Sequence, residues 1–134
     1  MILLDTHVLV YYARGDKKIG KRTLSTIDRA MERGELFACA LSFWEIAMLV
    51  AKDRLALDTP VSGFRAAMLR QGIEELVVDG DIAIAAGELP QSQGDPADRL
   101  LVATAMVHGL TLVTADDVLL RWQMRGYRTQ DATA

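Results

Sequence analysis

Four times along this chain a hydrophobic run gives way to a helix start, and each time acids stand at the junction. The segments are Ile2-Leu3-Leu4-Asp5-Thr6, Leu41-Ser42-Phe43-Trp44-Glu45, Asp95-Pro96-Ala97-Asp98-Arg99 and Leu112-Val113-Thr114-Ala115-Asp116-Asp117. Short apolar strands alternating with helices build a parallel sheet covered by helices on both faces. In such a sheet the carboxyl ends of neighbouring strands form one rim, where ligands bind. Carboxylates gathered on that rim repel one another and lose water, which is costly for bare anions. A divalent cation removes the difficulty. Oxygen-rich sites suit Mg²⁺ or Mn²⁺, and such ions assist phosphodiester hydrolysis.

The rest of the chain fits this alternation. Strands are expected at residues 2–4, 36–40, 75–78 and 111–113, with a weak fifth at 126–128. Helices are expected at 6–13, 20–33, 42–51, 60–70, 81–89, 95–108 and 116–125. The apolar period of Leu24, Ile27, Ala30 and Met31 marks the second of these, with Gly34 as its stop. Thr59-Pro60 reads as an N-cap followed by a proline at N1, and Gly109 as a C-cap. Residues 91–94 read as a polar loop, and the tail after Thr129 as loose. No repeat, linker or low-complexity segment interrupts the 134 residues, so one domain, 1–134, is expected.

Composition excludes several classes. With 51% hydrophobic and 25% charged residues the chain has material for a core and is not disordered. No apolar run approaches the ~20 residues of a membrane span. Asp5 interrupts the start too early for a signal peptide, and the single Cys39 lies in an apolar segment, so a reducing cytoplasm is expected. The net charge of -3 does not announce a nucleic-acid binder. Yet Arg14, Lys17, Lys18, Lys21 and Arg22 cluster near one end, and Arg121, Arg125 and Arg128 near the other. A nuclease needs both signs of charge, acids for metal and bases for phosphates; ordinary solvated surface is the plainer account of the basic runs.

Helix-start chemistry accounts for each acidic motif taken singly. Asp5 can cap the helix that follows it, Ser42-x-x-Glu45 fits a capping box, Asp95-Pro96 fits an N-cap with Asp98 at N3, and Thr114-x-x-Asp117 repeats the pattern. Caps need only Ser, Thr or Asn, however, and these sites carry carboxylates beyond the caps. No other catalytic centre competes. His7 and His108 lack zinc-like spacing, and no G-x-S-x-G elbow is present. Gly15-Asp-Lys-Lys-Ile-Gly20-Lys21 nearly matches a phosphate-binding loop, with Leu76-Val77-Val78-Asp79 as a possible partner strand. Arg22 stands where that loop needs a hydroxyl, and no clear strand precedes it. Trp44 and Trp122 read as packing residues.

The motifs Leu3-Leu4-Asp5-Thr6-His7, Ser42-x-x-Glu45-Ile46-Ala47, Asp95-Pro96-x-Asp98-Arg99-Leu100-Leu101-Val102-Ala103 and Leu112-Val113-Thr114-x-Asp116 resemble the PIN domain, most closely the VapC-type toxins of prokaryotic toxin–antitoxin pairs. The resemblance spans almost the whole chain. It implies an α/β, PIN-like three-layer fold, with a central parallel sheet of four to five strands flanked by helices. It implies an endoribonuclease that depends on Mg²⁺ or Mn²⁺ and uses a metal-activated water, leaving 5′-phosphate and 3′-hydroxyl ends. It also implies a homodimer and a cognate antitoxin partner, with RNA as substrate and no membrane. The family's acids, catalytic and metal-binding, fall on Asp5, Glu45, Asp98 and Asp116, with Thr114, Ser42 and Thr6 in support. Apolar helical faces at Phe43, Trp44, Met48, Phe64 and Met68 would supply the surface for association. Two departures stand out. Gln93-Gly94 occupy the stretch where relatives often carry a histidine, and Ala97 stands where a bulky aromatic is common. Asp117 beside Asp116 leaves the fourth ligand open. Competing readings are a non-catalytic interaction module on the same fold, and a metal-dependent phosphatase built on Asp5. The phosphatase lacks its Asp-x-Asp pair, since position 7 is His7.

Overall fold

The computed structural model describes residues 1–90 and 94–134. Five strands form one sheet in the order β3-β2-β1-β4-β5: β1 Ile2–Leu4, β2 Leu36–Cys39, β3 Glu74–Leu76, β4 Thr111–Thr114 and β5 Arg128–Asp131. Every pairing is parallel, with Leu3 opposite Phe37 on one side and Leu112 on the other. Seven helices connect the strands among the described residues: α1 Thr6–Arg14, α2 Lys21–Glu32, α3 Ala40–Ala51, α4 Val61–Gln71, α5 Gly80–Gly87, α6 Pro96–His108 and α7 Asp117–Arg121. The expected three-layer α/β architecture is the one observed. None of these helices is long and apolar enough to cross a membrane.

The strands are apolar on both sides because both sides are covered. Side chains alternate across a strand, so Ile2 and Leu4 join Leu36, Ala38 and Val113 in one core cluster, packed on α1 to α4 through Val8, Leu9, Ile27, Phe43, Ile46, Phe64 and Met68. Leu3 faces the other way, into a second cluster with Cys39, Leu112, Leu101 and Val102 of α6, Leu119 of α7, and Trp122. Leu3, Leu4 and Leu9 are fully buried, and truncating any of them to alanine would cost ~2–5 kcal/mol. Cys39 is buried as expected, and burial pushes its thiol pKa up, which suits packing rather than reactivity.

Strand order locates the rim that matters. From β1 the chain builds outward through β2 to β3, then crosses back to add β4 and β5 on the opposite side of β1. The topological switch therefore lies between β1 and β4, and the crevice beyond their carboxyl ends is where a wound α/β sheet binds ligands. Asp5 closes this point: its backbone N–H donates to Val113 O at 2.9 Å.

The structure corrects several local expectations. Helix α3 begins at Ala40 rather than Ser42, with Cys39 at its N-cap and no side-chain cap. The Ser42–Glu45 capping box does not form; both residues lie inside the helix. Pro60, not Thr59, occupies the N-cap of α4. Helix α7 ends at Arg121, because Trp122 turns to extended backbone and buries its ring beside Leu119. The fifth strand lies two residues later than expected, and the tail is not loose. Thr129 to Asp131 pair with β4, Ala132 is 1% exposed, and Thr23 N–H donates to Ala134 O at 3.1 Å. This docking explains Gly20, where any Cβ would collide with the carbonyl oxygens of Thr133 and Ala134. Gly15 is the left-handed C-cap of α1, at φ 65°. The glycines of the near-match to a phosphate-binding loop are thus structural, and a helix precedes them. The polar stretch 91–93, including Gln93, lies outside the described residues.

Candidate active site

The four acids arrive on the rim from four separate elements. Asp5 caps α1 directly after β1, and Glu45 lies on α3 after β2. Asp98 stands in the first turn of α6, and Asp116 caps α7 directly after β4. Together with His7, Tyr11, Asp95 and Ala115 they line one pocket of about 340 Å³. Larger hollows of about 650 and 680 Å³ lie elsewhere, each containing a single pair of acids at most. Asp117 points to the same helix start but does not line the pocket, which favours Asp116 as the fourth acid.

Hydroxyls hold two of the acids in place. Asp5 Oδ1 accepts from Thr6 N–H at 2.6 Å, and its Oδ2 accepts from Thr114 Oγ1 at 2.6 Å. Thr114 in turn accepts the Asp116 N–H at 3.0 Å, so one hydroxyl ties the ends of β1 and β4 together. Thr6 Oγ1 lies 2.6 Å from Glu45 Oε1 and 2.9 Å from Ser42 Oγ. A hydroxyl has one proton. The shorter contact to a carboxylate takes it, so Ser42 donates to Thr6 and Thr6 donates to Glu45. Thr6, Ser42 and Thr114 are all fully buried, and each is satisfied by this network. Of the supporting hydroxyls expected from sequence, Thr6 and Thr114 contact the acids directly and Ser42 reaches them through Thr6.

Electrostatically the pocket is under strain. Burial pushes the Asp5 carboxyl pKa up, against the pull of its hydrogen bonds from Thr114 and Thr6. Burial does the same for Glu45, with Asp5 and Asp95 adding repulsion. Asp98 is pushed up to about 7, first by burial and then by Asp95, Asp116, Asp5 and Glu45. A cluster that cannot ionise fully on its own is what a divalent cation would relieve. All the donors are hard oxygens, the chemistry of Mg²⁺ or Mn²⁺. Among the described residues no three donors are gathered into a ready coordination shell. Asp5, Glu45 and Asp116 instead turn to hydroxyls and N–H groups. An ion here would keep several of its waters, as Mg²⁺ does when one or two carboxylates hold it.

Asp95 behaves as the N-cap it was expected to be, accepting the Asp98 N–H at 2.8 Å. It nevertheless faces the pocket and repels Asp98 and Glu45. Sequence reasoning passed over three more residues. His7 and Tyr11, one turn apart on α1, line the pocket, and the spacing of four residues from His7 was the available signal. Tyr127 donates to Leu119 O at 2.8 Å, and its phenol pKa is raised by burial and by Asp5, Asp116 and Asp98. Nothing in the sequence placed it beside acids more than ten residues away. Trp122 is buried as expected, but Trp44 is 54% exposed and not a core residue. Phe43, Phe64 and Met68 are core residues, so they are not available as an association surface.

The chain is similar to known proteins in both sequence and fold. The chain is 34% identical over 116 residues to Ribonuclease VapC22 of Mycobacterium tuberculosis, with 86% of each protein covered. In fold it is similar to VapBC2 from Rickettsia felis, solved bound to a promoter DNA fragment, with a TM-score of 0.70, 16% identity and 98% of each chain covered. It is similar too to the DNA-bound VapBC from Salmonella typhimurium, with a TM-score of 0.65, 17% identity and 98% of each chain covered. The family model of the PIN domain matches residues 2–122, which contain all four acids, and the chain belongs to the PIN-domain family.

Proposed function

We propose that this protein is an endoribonuclease dependent on Mg²⁺ or Mn²⁺, the toxin of a VapBC-type toxin–antitoxin pair, with residues 1–134 as one PIN domain. The observation that carries the reading is the convergence of Asp5, Glu45, Asp98 and Asp116 in one pocket at the switch point of the sheet. Likeness to a ribonuclease over most of the chain supports the substrate class. Neighbours in fold solved as VapBC complexes support a small antitoxin as partner. Four intact acids argue against a non-catalytic module, and His7 at the second position argues against the phosphatase.

Asp5, Glu45, Asp98 and Asp116 would hold the ion. When bound, it supplies Lewis-acid charge and an acidified water for in-line attack at phosphorus. The protein's own groups do the rest. Thr114 and Thr6 fix both oxygens of Asp5, so that carboxylate does not reorganise as charge develops. Thr6, backed by Ser42, aims Glu45 into the pocket. The Asp98 carboxyl, its pKa pushed up to about 7 by burial and by its acidic neighbours, would be ionised more readily beside a cation, so ion binding is expected to strengthen as pH rises through that range. His7 lines the pocket beside Asp5 and Glu45.

The test is cleavage of defined RNAs in Mg²⁺ or Mn²⁺, with EDTA and Asp5→Asn as controls and with product ends mapped. Cleavage lost in EDTA and in Asp5→Asn, with 5′-phosphate ends, is the expected result. Full cleavage by Asp5→Asn at undiminished metal affinity would overturn the site assignment.

A further inference from the structure

The acid pocket continues into a second groove of about 350 Å³ that shares His7, Glu45 and Asp95 with it. Trp44 lines this groove at 54% exposure, one residue before Glu45. The buried face of α3 carries Ser42, Phe43 and Ile46, and the Trp44 indole lies on its solvent side, open to a ligand. Lys52 and Arg54 line the same groove. Helix α3 stops at Lys52, Asp53 takes the left-handed conformation at φ 56°, and Arg54 N–H returns to Leu49 O at 2.9 Å. This reversal keeps both cations beside the groove. Among the described residues neither is ion-paired. Arg54 also lines an adjoining hollow with Arg14 and Lys18, so further positive charge lies beside the groove.

We infer that this groove is a nucleotide subsite of the RNA substrate, in which one base stacks on Trp44 and an adjacent phosphate is held by Lys52 and Arg54. The inference rests on the ribonuclease reading above and adds to it where the neighbouring nucleotide lies. The charge pattern selects a nucleic acid strand: one phosphate belongs at the acid-bound ion, and the next needs cations of its own. An exposed aromatic platform in the same groove suits an unpaired base, since every base offers a π face. Single-stranded RNA, with bases free of a duplex, is therefore the form the groove admits.

Two tryptophans make the test direct. Trp122 is 7% exposed and Trp44 is 54% exposed, so a base stacking in the groove quenches the red, solvent-exposed part of the emission. The probe is a mixed-sequence single-stranded RNA of about ten nucleotides, titrated in EDTA at low salt so that it stays intact. Quenching is expected in the wild type, and Trp44→Leu should weaken binding about 10-fold or more, while Trp44→Phe retains most of it. Lys52→Ala and Arg54→Ala should each lower the salt dependence of binding, with a slope loss of about 0.7 per phosphate contact removed. RNA binding by Trp44→Leu at wild-type affinity, with cleavage intact, would overturn the subsite and leave the ribonuclease standing. If Trp44→Leu instead loses only the copurified antitoxin while binding RNA normally, the groove is a protein-docking site and the inference fails. Wild-type protein that neither binds nor cleaves RNA would remove the ribonuclease reading and the subsite with it.

Discussion

Replacing Asp98 by Asn should make the metal-free protein more stable at alkaline pH while nearly abolishing cleavage. Asp98 has a folded-state pKa of about 7 against an ordinary 3.8. Its raised value means that the folded state holds a proton that the unfolded chain releases. The associated stability is fully present below pH ~4, is lost as pH rises toward ~7, and is constant above that. Taken at face value the penalty above pH 7 is about 4 kcal/mol. Asp98 is only half-buried, so solvent screening cuts this to ~1–2 kcal/mol. An opposing term is small: a carboxylate in the first turn of α6 gains ~0.3–1 kcal/mol from the helix N-terminus. The net expectation for Asp98→Asn is a gain of about 1 kcal/mol at pH 8 in EDTA, near 4 °C in Tm, and no gain at pH 4. Urea unfolding at both pH values measures it. With Mg²⁺ or Mn²⁺ added, the order should reverse. Wild type then gains from ion binding, and the variant gains less and cleaves ~10²-fold more slowly. A variant less stable than wild type at pH 8 in EDTA would refute the account of a strained, cation-seeking pocket.

Asp95→Asn, only three residues away, should keep fold and most activity, because Asn caps a helix about as well as Asp; if this variant is inactive and Asp98→Asn is active, the third carboxylate has been assigned to the wrong residue. Thr114→Val should cost ~1–3 kcal/mol by stripping Asp5 Oδ2 and the Asp116 N–H of their shared partner, and should lower cleavage at saturating Mn²⁺; unchanged chemical denaturation would count against the tie between β1 and β4. Removing residues 128–134 should leave a protein that fails to fold cooperatively, since β5 and the Ala132 anchor go with them; a sharp, wild-type-like melt by circular dichroism would show the tail dispensable. Light scattering at tens of micromolar is expected to show a homodimer, its apolar surface now sought among Val77, Ile84 and Val107 rather than the buried Phe43, Phe64 and Met68; a strict monomer would count against it.

The parts of the fold legible in the sequence were those fixed by two-sided burial. Ile2 to Leu4 and Thr111 to Val113 are apolar at every position because helices cover both faces, and a continuous apolar run with a turn signal on each side reads as such a strand. The acids were legible because strand ends and helix starts coincide in this architecture. What stayed hidden were features decided by distant contacts. Arg128 to Asp131 carries little hydrophobicity, and only the register with β4 makes it a strand. Gly20 looked like part of a phosphate loop because its neighbour, the chain terminus, is more than a hundred residues away. Ser42 and Glu45 have a capping-box spacing, yet the helix begins two residues earlier, and both side chains are taken by Thr6 instead.

Elsewhere on the rim a capping acid can also face the pocket. At a strand-to-helix junction the residue at the N-cap and the residue a turn further in both sit at the rim. Asp5 and Asp116 do both tasks, accepting N–H groups from their own helices while facing the pocket. Glu45 and Asp98 carry no capping bond and face the pocket alone. The two pairs should therefore respond differently to the same change. Alanine at Asp5 or Asp116 removes a cap worth ~1 kcal/mol along with a proposed metal ligand, so lost stability and lost activity should arrive together. Asparagine there keeps the cap and isolates the chemistry. At Glu45 and Asp98 there is no cap to lose; relief of repulsion should offset the packing an alanine forfeits at Asp98, whereas at Glu45 the buried Thr6 hydroxyl also loses its acceptor. The acids of this rim thus divide into three that also cap a helix, Asp5, Asp95 and Asp116, and two, Glu45 and Asp98, that do not.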